Sequence, residues 1–452
     1  MKKSILALVF LMTLQTSFGQ KKPNVVLFFV DDLGWADLGY RNEKFHTPNI
    51  DQLRKDGMEF SRAYIATPTC SPSRASILTG REPVRFQMVR HIDDGNGIDF
   101  DDKGNSINKF SLWPNDPVQM PSINMLPLDE ITYAERLKEL GYYNFFLGKW
   151  HLGDERYYPS KQGFDEDYGV CNYGHPKGYY PPFFKDVNPL ASFDKSDIYL
   201  ETVLADKAVD FISNYKQEKP FMLSYFHYDV HGPQIGRKDW VEQYKKEGLK
   251  GKDAEYAAMI SAVDESVGRV RKALVEKGIA DNTVIIFTSD QGGFFSNAPL
   301  SGGKTGGNTL GEGGARVPFL MYYPGVTKAN TSTAIPIQTI DVFPTLVDIA
   351  GGKACKDKQV NGKSLLPIVK GEKFKEDRSL YFFRSYEDQY AAVIAGDWKL
   401  IKYHSGLFHL FNIKKDQAEQ HDLIDLELKQ AARLKKDIAK WEKKAVPAYN
   451  KK

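Results

Sequence analysis

Residues 70–74, which read Cys-Ser-Pro-Ser-Arg, place a sulfur side chain four positions before a permanent cation. An unpaired cysteine is more often a small apolar residue than a reactive group, so the meaning of Cys70 depends on its surroundings. Pro72 is suited to open a helix that runs to about residue 79, and Gly80 is suited to end it. An anion beside Cys70 would then face the positive end of the helix dipole.

Polar side chains also follow two apolar segments, residues 25–30 and residues 283–288, which are predicted to be buried strands. In open parallel sheets, sites form beyond the carboxyl ends of the strands, so two adjacent ends would bring several oxygens together. Three clustered carboxylates need a cation, and oxygen ligands suit Ca²⁺ or Mg²⁺. The candidate ligands from these strand ends are Asp31, Asp32, Asp290 and Gln291.

A third group of polar residues follows the predicted strand at 143–147. Lys149 and His151 flank Trp150, and in an extended backbone both would point to one side. A cation and an imidazole on one face suit the binding of a tetrahedral anion. Without further context, a surface lysine and a packed histidine would be the commoner explanation.

Several segments taken together resemble the type I sulfatases of the alkaline phosphatase superfamily. The resemblance covers nearly the whole chain after its leader. Its motifs are the first signature at residues 70–81, the second at 141–153, the metal strands at 24–34 and 287–292, the His-x-Pro at 231–233 and the Gly-Gly-Lys at 302–304. Gln291 departs from the family, in which this position is usually Asn and often His, so its ligation is less secure than that of Asp290.

The resemblance implies a post-translational change and a set of roles. In this family the cysteine is oxidised to formylglycine, by a formylglycine-generating or an anaerobic sulfatase-maturating enzyme, and the hydrated aldehyde attacks the sulfate ester. The implied catalytic residues are Cys70, Arg74, His151 and His231, and the implied sulfate-binding residues are Lys149 and Lys304. One Ca²⁺ or Mg²⁺ would be held by Asp31, Asp32, Asp290, Gln291 and the modified Cys70. By the same resemblance His227, Glu312 and Arg316 are expected to have structural roles.

The substrate expected from this resemblance is a sulfated carbohydrate. Algal polysaccharides of the ulvan, fucoidan or carrageenan type are favoured, and glycosaminoglycans stay open. The alternatives are a phosphomonoesterase, phosphodiesterase or phosphonate hydrolase of the same superfamily, and a catalytically inactive carbohydrate-binding relative. The candidate sugar contacts in the irregular insertions are Arg85, Arg90, His91, Asp93 and His175, although residues of these types are more often solvated on the surface.

The elements that must position these residues alternate between strand and helix. Predicted strands are at 25–30, 143–147, 221–226, 283–288 and 318–323, and predicted helices at 47–57, 129–140, 199–215 and 254–277. This rhythm predicts an α/β fold with a large, mostly parallel sheet between helices, which the resemblance makes alkaline-phosphatase-like. Short strands at 380–384, 390–394, 399–403 and 407–411, then a helix from 426 to about 443, predict a small antiparallel sheet with one helix. The expected domains are residues 20–372 and 373–452.

Composition limits the compartment and the partners. Residues 1–19 combine two lysines, a short apolar run and small residues, which predicts a cleaved signal peptide, export to the periplasm or cell exterior, and no membrane anchor. Cleavage lowers the net charge from +3 to +1, so nothing favours nucleic acid as a partner. Three cysteines exclude a disulfide framework, and a single bridge between Cys171 and Cys355 stays open.

Overall fold

A computed structural model describes residues 21–92, 110–111, 120–184, 190–353, 360–375, 378–384 and 388–446. The helices are α1 Pro48–Asp56, α2 Cys70–Thr79, α3 Tyr133–Glu139, α4 Leu200–Asn214, α5 Lys238–Lys246, α6 Gly251–Glu276, α7 Glu312–Ala315, α8 Val342–Ile349, α9 Leu366–Val369 and α10 Leu428–Ala445. The predicted signal peptide, Asp93 and Cys355 lie outside these ranges.

The strands number seventeen in the described part of the chain. They are β1 Asn24–Val30, β2 Met58–Phe60, β3 Ala63–Tyr64, β4 Phe110–Ser111, β5 Ser122–Ile123, β6 Tyr143–Gly148, β7 Glu166–Tyr168, β8 Phe221–Phe226, β9 Thr283–Ser289, β10 Arg316–Val317, β11 Phe319–Tyr322, β12 Thr331–Thr333, β13 Ile337–Gln338, β14 Leu380–Phe383, β15 Gln389–Ala395, β16 Trp398–Tyr403 and β17 Phe408–Asn412.

Eight of these strands form the main sheet, in the order β12-β2-β11-β9-β1-β8-β6-β7. The central pairs, β9 with β1, β1 with β8, β8 with β6 and β6 with β7, are parallel. β11 is antiparallel to both β9 and β2, while β12 is parallel to β2. The sheet is therefore mixed and mostly parallel, as predicted.

Helices cover both faces of this sheet because every residue of β1 is apolar apart from Asn24. Val26, Phe28 and Val30 belong to the core under α4 and α6. Val25 and Leu27 point the other way, into the core that contains residues of α2, α3 and α8. Such a continuous apolar run is typical of a strand buried on two sides.

The last described part of the chain forms the predicted small sheet, an antiparallel meander of β14, β15, β16 and β17. Its two faces are both buried. Leu434, Ile438 and Trp441 of α10 pack on one face. Residues of the main domain, among them Tyr64 and Leu310, pack on the other.

Several predicted boundaries need correction. α3 begins at Tyr133 rather than at residue 129, because the Thr132 side chain accepts the backbone N–H of Glu135 and closes a capping box. α2 begins at Cys70, two residues before Pro72. α5 and the strands β2, β7 and β12 were not predicted, because three-residue strands and a charged surface helix leave weak patterns. In the described residues, no helix is both long and apolar enough to span a bilayer.

Candidate active site

The acidic residues predicted at the strand ends do meet. β1 and β9 pair in parallel, with Val30 opposite Ser289. The residue that follows each strand is an aspartate, so the two aspartates are neighbours. The backbone N–H of Asp290 donates to Val30 O at 3.0 Å, and that of Asp32 donates to Asp290 Oδ1 at 3.0 Å. Asp31, Asp32 and Asp290 are all 0% exposed, so three carboxylates share one buried point.

Helix α2 directs its first residue to the same point. Ligand atoms of Asp31, Cys70 and Asp290 lie within 4.8 Å of one another, and so do those of Asp32, Cys70 and His231. One helical turn further on, Arg74 is fully buried. Its Nη1 donates to Lys149 O at 3.0 Å, and its Nη2 lies 3.4 Å from Asp290 Oδ2 and 3.5 Å from Asp31 Oδ1.

Two lysines complete the charged cluster. Lys149 follows β6, where its backbone N–H donates to Phe226 O at 2.8 Å, and its Nζ pairs with Asp31 Oδ2. Lys304 lies in a glycine-rich loop, and its Nζ pairs with Asp32 Oδ2. The ammonium groups therefore approach two adjacent carboxylates from two different loops.

The backbone conformation of His151 differs from the sequence prediction. Its φ is +54°, a left-handed conformation, so residues 149–151 are not extended as expected. The Nε2–H donates to Ile92 O at 2.6 Å, and a Cβ added at Gly174 would lie 2.7 Å from the imidazole Cε1. Nδ1 has no hydrogen-bond partner among the described residues, which leaves it as a buried acceptor.

His231 lies across the cluster, on the chain that leaves β8. Its Nδ1–H donates to Gly232 O at 2.7 Å, and its Nε2 is 3.8 Å from Asp32 Oδ2. The imidazole of His175 stacks on it, with ring centroids 5.2 Å apart and planes 9° apart. His227, by contrast, is fully buried and bonds to Glu201 at 2.9 Å, away from the cluster.

The amide of Gln291 enters the cluster between the acids and Cys70. Its Nε2 is 2.6 Å from Asp32 Oδ1 and 3.3 Å from Cys70 Sγ. The amide nitrogen, rather than the predicted oxygen, therefore faces the carboxylate. A half-turn of the amide would present Oε1 to the same point, so its ligation stays a prediction.

Burial and charge strongly perturb the ionisable groups. Burial, with the neighbouring Asp31 carboxylate, holds the pKa of Asp290 well above its usual range, and burial raises the pKa of Asp32. Burial would also raise the pKa of Asp31, but the Lys149 ammonium and the Arg74 guanidinium outweigh it and hold that pKa low. Burial, reinforced by a nearby lysine, pushes the pKa values of His151 and His231 well below the usual range.

The donor set fits a hard divalent cation. Three buried carboxylates converge, and Asp31 Oδ1 has no hydrogen-bond partner in the described part of the chain. A divalent ion at this point would relieve the repulsion that raises the pKa of Asp290. Oxygen ligands of this kind suit Ca²⁺ or Mg²⁺. The residues that would hold the ion are Asp31, Asp32, Asp290, Gln291 and position 70.

The residues suggested for sugar contacts have different surroundings. Arg85 pairs with Glu82 at 2.6 Å, Arg90 is only 2% exposed and His91 is half-buried. His175 is exposed and stacks on His231 in the described site. Sequence reasoning missed Phe294, which is 36% exposed with Lys304 Nζ 5.9 Å from its ring centroid. Its position four residues after Asp290 was the available signal.

The other predicted structural residues are placed as expected. Glu312 and Arg316 lie outside the cluster, where Arg316 Nε donates to Ser61 O at 2.7 Å. Cys171 is a buried free thiol, 3.3 Å from Tyr228 Oη.

Comparison with known proteins supplies the family. The family model described as Sulfatase matches residues 23–352, most of the chain. This chain belongs to the sulfatase family. It is therefore a sulfuric ester hydrolase, and the resemblance to type I sulfatases is confirmed. A second family model, described as N-sulphoglucosamine sulphohydrolase, C-terminal, matches residues 309–444 of this chain.

Individual relatives of the sulfatase cover most of its length. N-acetylgalactosamine-6-sulfatase of Mus musculus is 32% identical over 399 residues, which cover 83% of this chain and 71% of the relative. Arylsulfatase A of Homo sapiens is 28% identical, and the match covers 89% of this chain and 84% of the relative. The protein in the crystal structure of Ps i-CgsB in complex with k-i-k-neocarrahexaose is 31% identical in sequence. The match has a TM-score of 0.77 and covers 93% of this chain and 92% of that one. The likeness thus extends over both sheets.

Proposed function

We propose that this sulfatase hydrolyses sulfate esters of a sulfated carbohydrate, using formylglycine made from Cys70 and one divalent cation. The observation that carries the proposal is the convergence of Cys70 with two sets of ligand atoms, each within 4.8 Å. Because the chain belongs to the sulfatase family, a phosphate-ester hydrolase is not needed to explain the site. The intact charged cluster argues against a catalytically inactive relative.

Two groups, each held by residues of this cluster, would supply the central chemistry. A hydrated formylglycine provides the nucleophilic hydroxyl, and a divalent ion provides positive charge for the sulfate and the nucleophile. Arg74 fixes the carboxylates of Asp31 and Asp290 from behind. With an ion on the carboxylates, the ammonium groups of Lys149 and Lys304 would be available to bind sulfate oxygens. Such fixed donors stabilise charge that develops in the transition state.

The histidines carry protons at defined atoms. His151 has its Nε2–H committed to Ile92 O, so only Nδ1 is free to accept the proton that sulfate release requires. His231 has its Nδ1–H committed to Gly232 O, so Nε2 is the atom that passes a proton to the leaving alcohol. The negative sulfate group favours the protonated imidazole there. Lys304 assists at the same oxygen, since both side chains meet at Asp32 Oδ2.

The mouth of the site supports a carbohydrate substrate. Phe294 lies beside Lys304 and His175 beside His231, so two exposed rings are next to the residues assigned to the leaving alcohol. Flat ring faces suit the C–H face of a pyranose. Ps i-CgsB was crystallised with a carrageenan oligosaccharide, and the mouse relative is named for N-acetylgalactosamine 6-sulfate. We favour an algal polysaccharide, with glycosaminoglycans as the second class.

Replacing Phe294 with alanine tests the sugar contact. We expect KM for a sulfated oligosaccharide to rise about three- to tenfold, the range of one aromatic contact, with kcat nearly unchanged. Phe294→Tyr keeps the ring and is expected to keep KM. Inhibition by inorganic sulfate, which has no sugar ring, should be the same in all three proteins. Equal KM values for wild type and Phe294→Ala would remove Phe294 from the sugar site.

Two measurements on the purified protein test the function as a whole. Mass spectrometry of the peptide that spans residue 70 should show an aldehyde in place of the thiol. Sulfate release should then be followed on oligosaccharides of carrageenan, fucoidan, ulvan and glycosaminoglycans, with phosphate esters alongside. An unmodified thiol in fully active protein would refute formylglycine, and release of phosphate alone would refute the sulfated substrate.

The proposal includes a cellular location and a partner enzyme. Residues 1–19 are the proposed signal peptide, and the periplasm or cell exterior is the proposed location. A formylglycine-generating or anaerobic sulfatase-maturating enzyme is the proposed partner that converts Cys70. The N-terminal residue of the exported protein, determined by sequencing, should lie close to residue 20.

A further inference from the structure

The loop that carries Lys304 depends on contacts from outside itself. We define the lysine loop as residues 301–311, between β9 and α7. It contains no helix or strand, and five of its residues are Gly302, Gly303, Gly306, Gly307 and Gly311. Glycine loses more conformational freedom on ordering than any other residue, so such a loop needs external support to hold one side chain in place.

Part of that support comes from the main domain, where Gly293 O accepts the backbone N–H of Lys304 at 3.1 Å, and the rest from the C-terminal subdomain that contains the small sheet. Gln389, the first residue of β15, accepts the backbone N–H of Leu310 at 2.8 Å and donates to Asn308 Oδ1 at 2.8 Å. Glu419, after β17, accepts Ser301 Oγ and, at 2.8 Å, the backbone N–H of Glu312. Both ends of the lysine loop are therefore bound by the other sheet.

A buried ion network reinforces the second attachment. Lys399 of β16 pairs with Glu312 at 3.0 Å and with Glu419 at 2.9 Å. The side chains of Lys399 and Glu312 are fully buried, and that of Glu419 is 3% exposed. Burial acts to lower the pKa of Lys399, but the two carboxylates outweigh it and the pKa is raised. Burial likewise acts to raise the pKa of Glu312, but the Lys399 ammonium and the Arg316 guanidinium outweigh it and that pKa is lowered.

Stability alone is a poor reason for such a network. A buried set of charges is often no more stabilising than apolar residues of the same volume, because desolvation offsets the attraction. What charges and directional hydrogen bonds do supply is one defined geometry. Here the defined geometry is that of the loop three residues before Lys304 and four to eight residues after it.

We propose that Gln389, Lys399 and Glu419 form a clamp that positions Lys304 for catalysis, so that the C-terminal sheet is part of the catalytic apparatus. The clamp rests on the proposed role of Lys304 at the sulfate and leaving oxygens. Its members are not proposed to touch substrate or ion, and they act through backbone and side-chain contacts with the lysine loop and with Glu312 that follows it.

Gln389→Leu is the first test, because it removes the hydrogen bonds to the loop without leaving a buried charge. Lys402→Met is the matched control: it breaks a pair with Glu442 at 2.6 Å in the same sheet but does not touch the loop. Hydrogen exchange should become faster in residues 301–312 of Gln389→Leu and stay as in wild type in Lys402→Met. This readout needs neither formylglycine nor substrate.

The catalytic test is a double-mutant cycle on the oligosaccharide that wild type desulfates fastest. Gln389→Leu should lower kcat/KM about tenfold, since misplacement by 1 Å can cost up to about 100-fold. In a Lys304→Ala background the same change should have no further effect, because the group being positioned is absent. Glu419→Gln should behave in the same way.

Three results would overturn the clamp. Unchanged exchange in residues 301–312 together with unchanged kcat/KM would show that the loop does not need it. An equal loss in the wild-type and Lys304→Ala backgrounds would show a general structural effect instead of positioning. Wild-type activity in Lys304→Ala alone would overturn the role of Lys304, and with it the clamp, while leaving the sulfatase chemistry at position 70 in place.

Discussion

Cys70→Ala is expected to lower sulfate release by a factor on the order of 10⁴ to 10⁶, the usual effect of removing a catalytic nucleophile. Within the described ranges, position 70 alone brings a convertible side chain to the three carboxylates and to His231. The remaining rate would come from Lys149, Lys304 and the ion, which bind sulfate without attacking it. The measurement is sulfate release by ion chromatography on protein of verified mass.

The chain offers a matched control for this substitution. Cys171 is the second buried free thiol in the described residues, but it contacts Tyr228 and not the carboxylates. Cys171→Ala should keep activity within a few-fold and show a similar loss of stability. Cys70→Ser keeps a hydroxyl that accepts sulfate but cannot expel it as an aldehyde hydrate can, so we expect no more than one turnover. Sustained turnover by Cys70→Ala would end the assignment.

Removal of the divalent ion is the second change with a large expected effect. Dialysis against a chelator should abolish activity, and addition of Ca²⁺ or Mg²⁺ should restore it, which also identifies the ion. Asp290→Asn should reduce kcat/KM on the order of 100- to 1,000-fold, as loss of a fixed electrostatic group does. It should also raise the ion concentration needed for half-maximal activity, because an amide carries no charge.

Asp37→Asn is the matched control for Asp290→Asn. Asp37 is a buried carboxyl whose pKa burial raises to about 6, and it accepts Gly34 N at 2.8 Å and Tyr256 Oη at 2.6 Å, so it is not part of the cluster. We expect it to leave the ion requirement unchanged. Ion binding should raise the melting temperature of wild type and Asp37→Asn but much less that of Asp290→Asn. Full activity after verified chelation would contradict a catalytic ion.

The acidic cluster could be predicted because one rule connects sequence to space. Apolar strands that end in Asp31 and Asp290 place those acids at the same edge when the strands are parallel neighbours, and β1 and β9 are. Strands β8 and β6 also fall close to their predicted positions, because each is a six-residue run in which most residues are buried and apolar. The mostly parallel sheet and the small antiparallel sheet follow from the same patterns.

The rest depended on contacts between distant segments. The backbone of His151 turns left-handed where the sequence suggested an extended chain, and Gly174 from another loop provides the space beside it. The contact of Lys399 with Glu312 joins residues 87 positions apart, and no local pattern marks it. The same holds for Phe294, whose meaning depends on Lys304 folding back beside it.

The position of β1 at the centre of the main sheet has a consequence for how the protein is made. Its apolar segment, residues 25–30, leaves the ribosome well before its neighbours in the sheet. Those neighbours, β8 and β9, end at residues 226 and 289, so β1 stays uncovered until both have been made. A segment of this kind, β-prone and uncharged, tends to aggregate while exposed. Successful production should therefore depend on chaperones that shield the nascent chain more than on the stability of the finished enzyme.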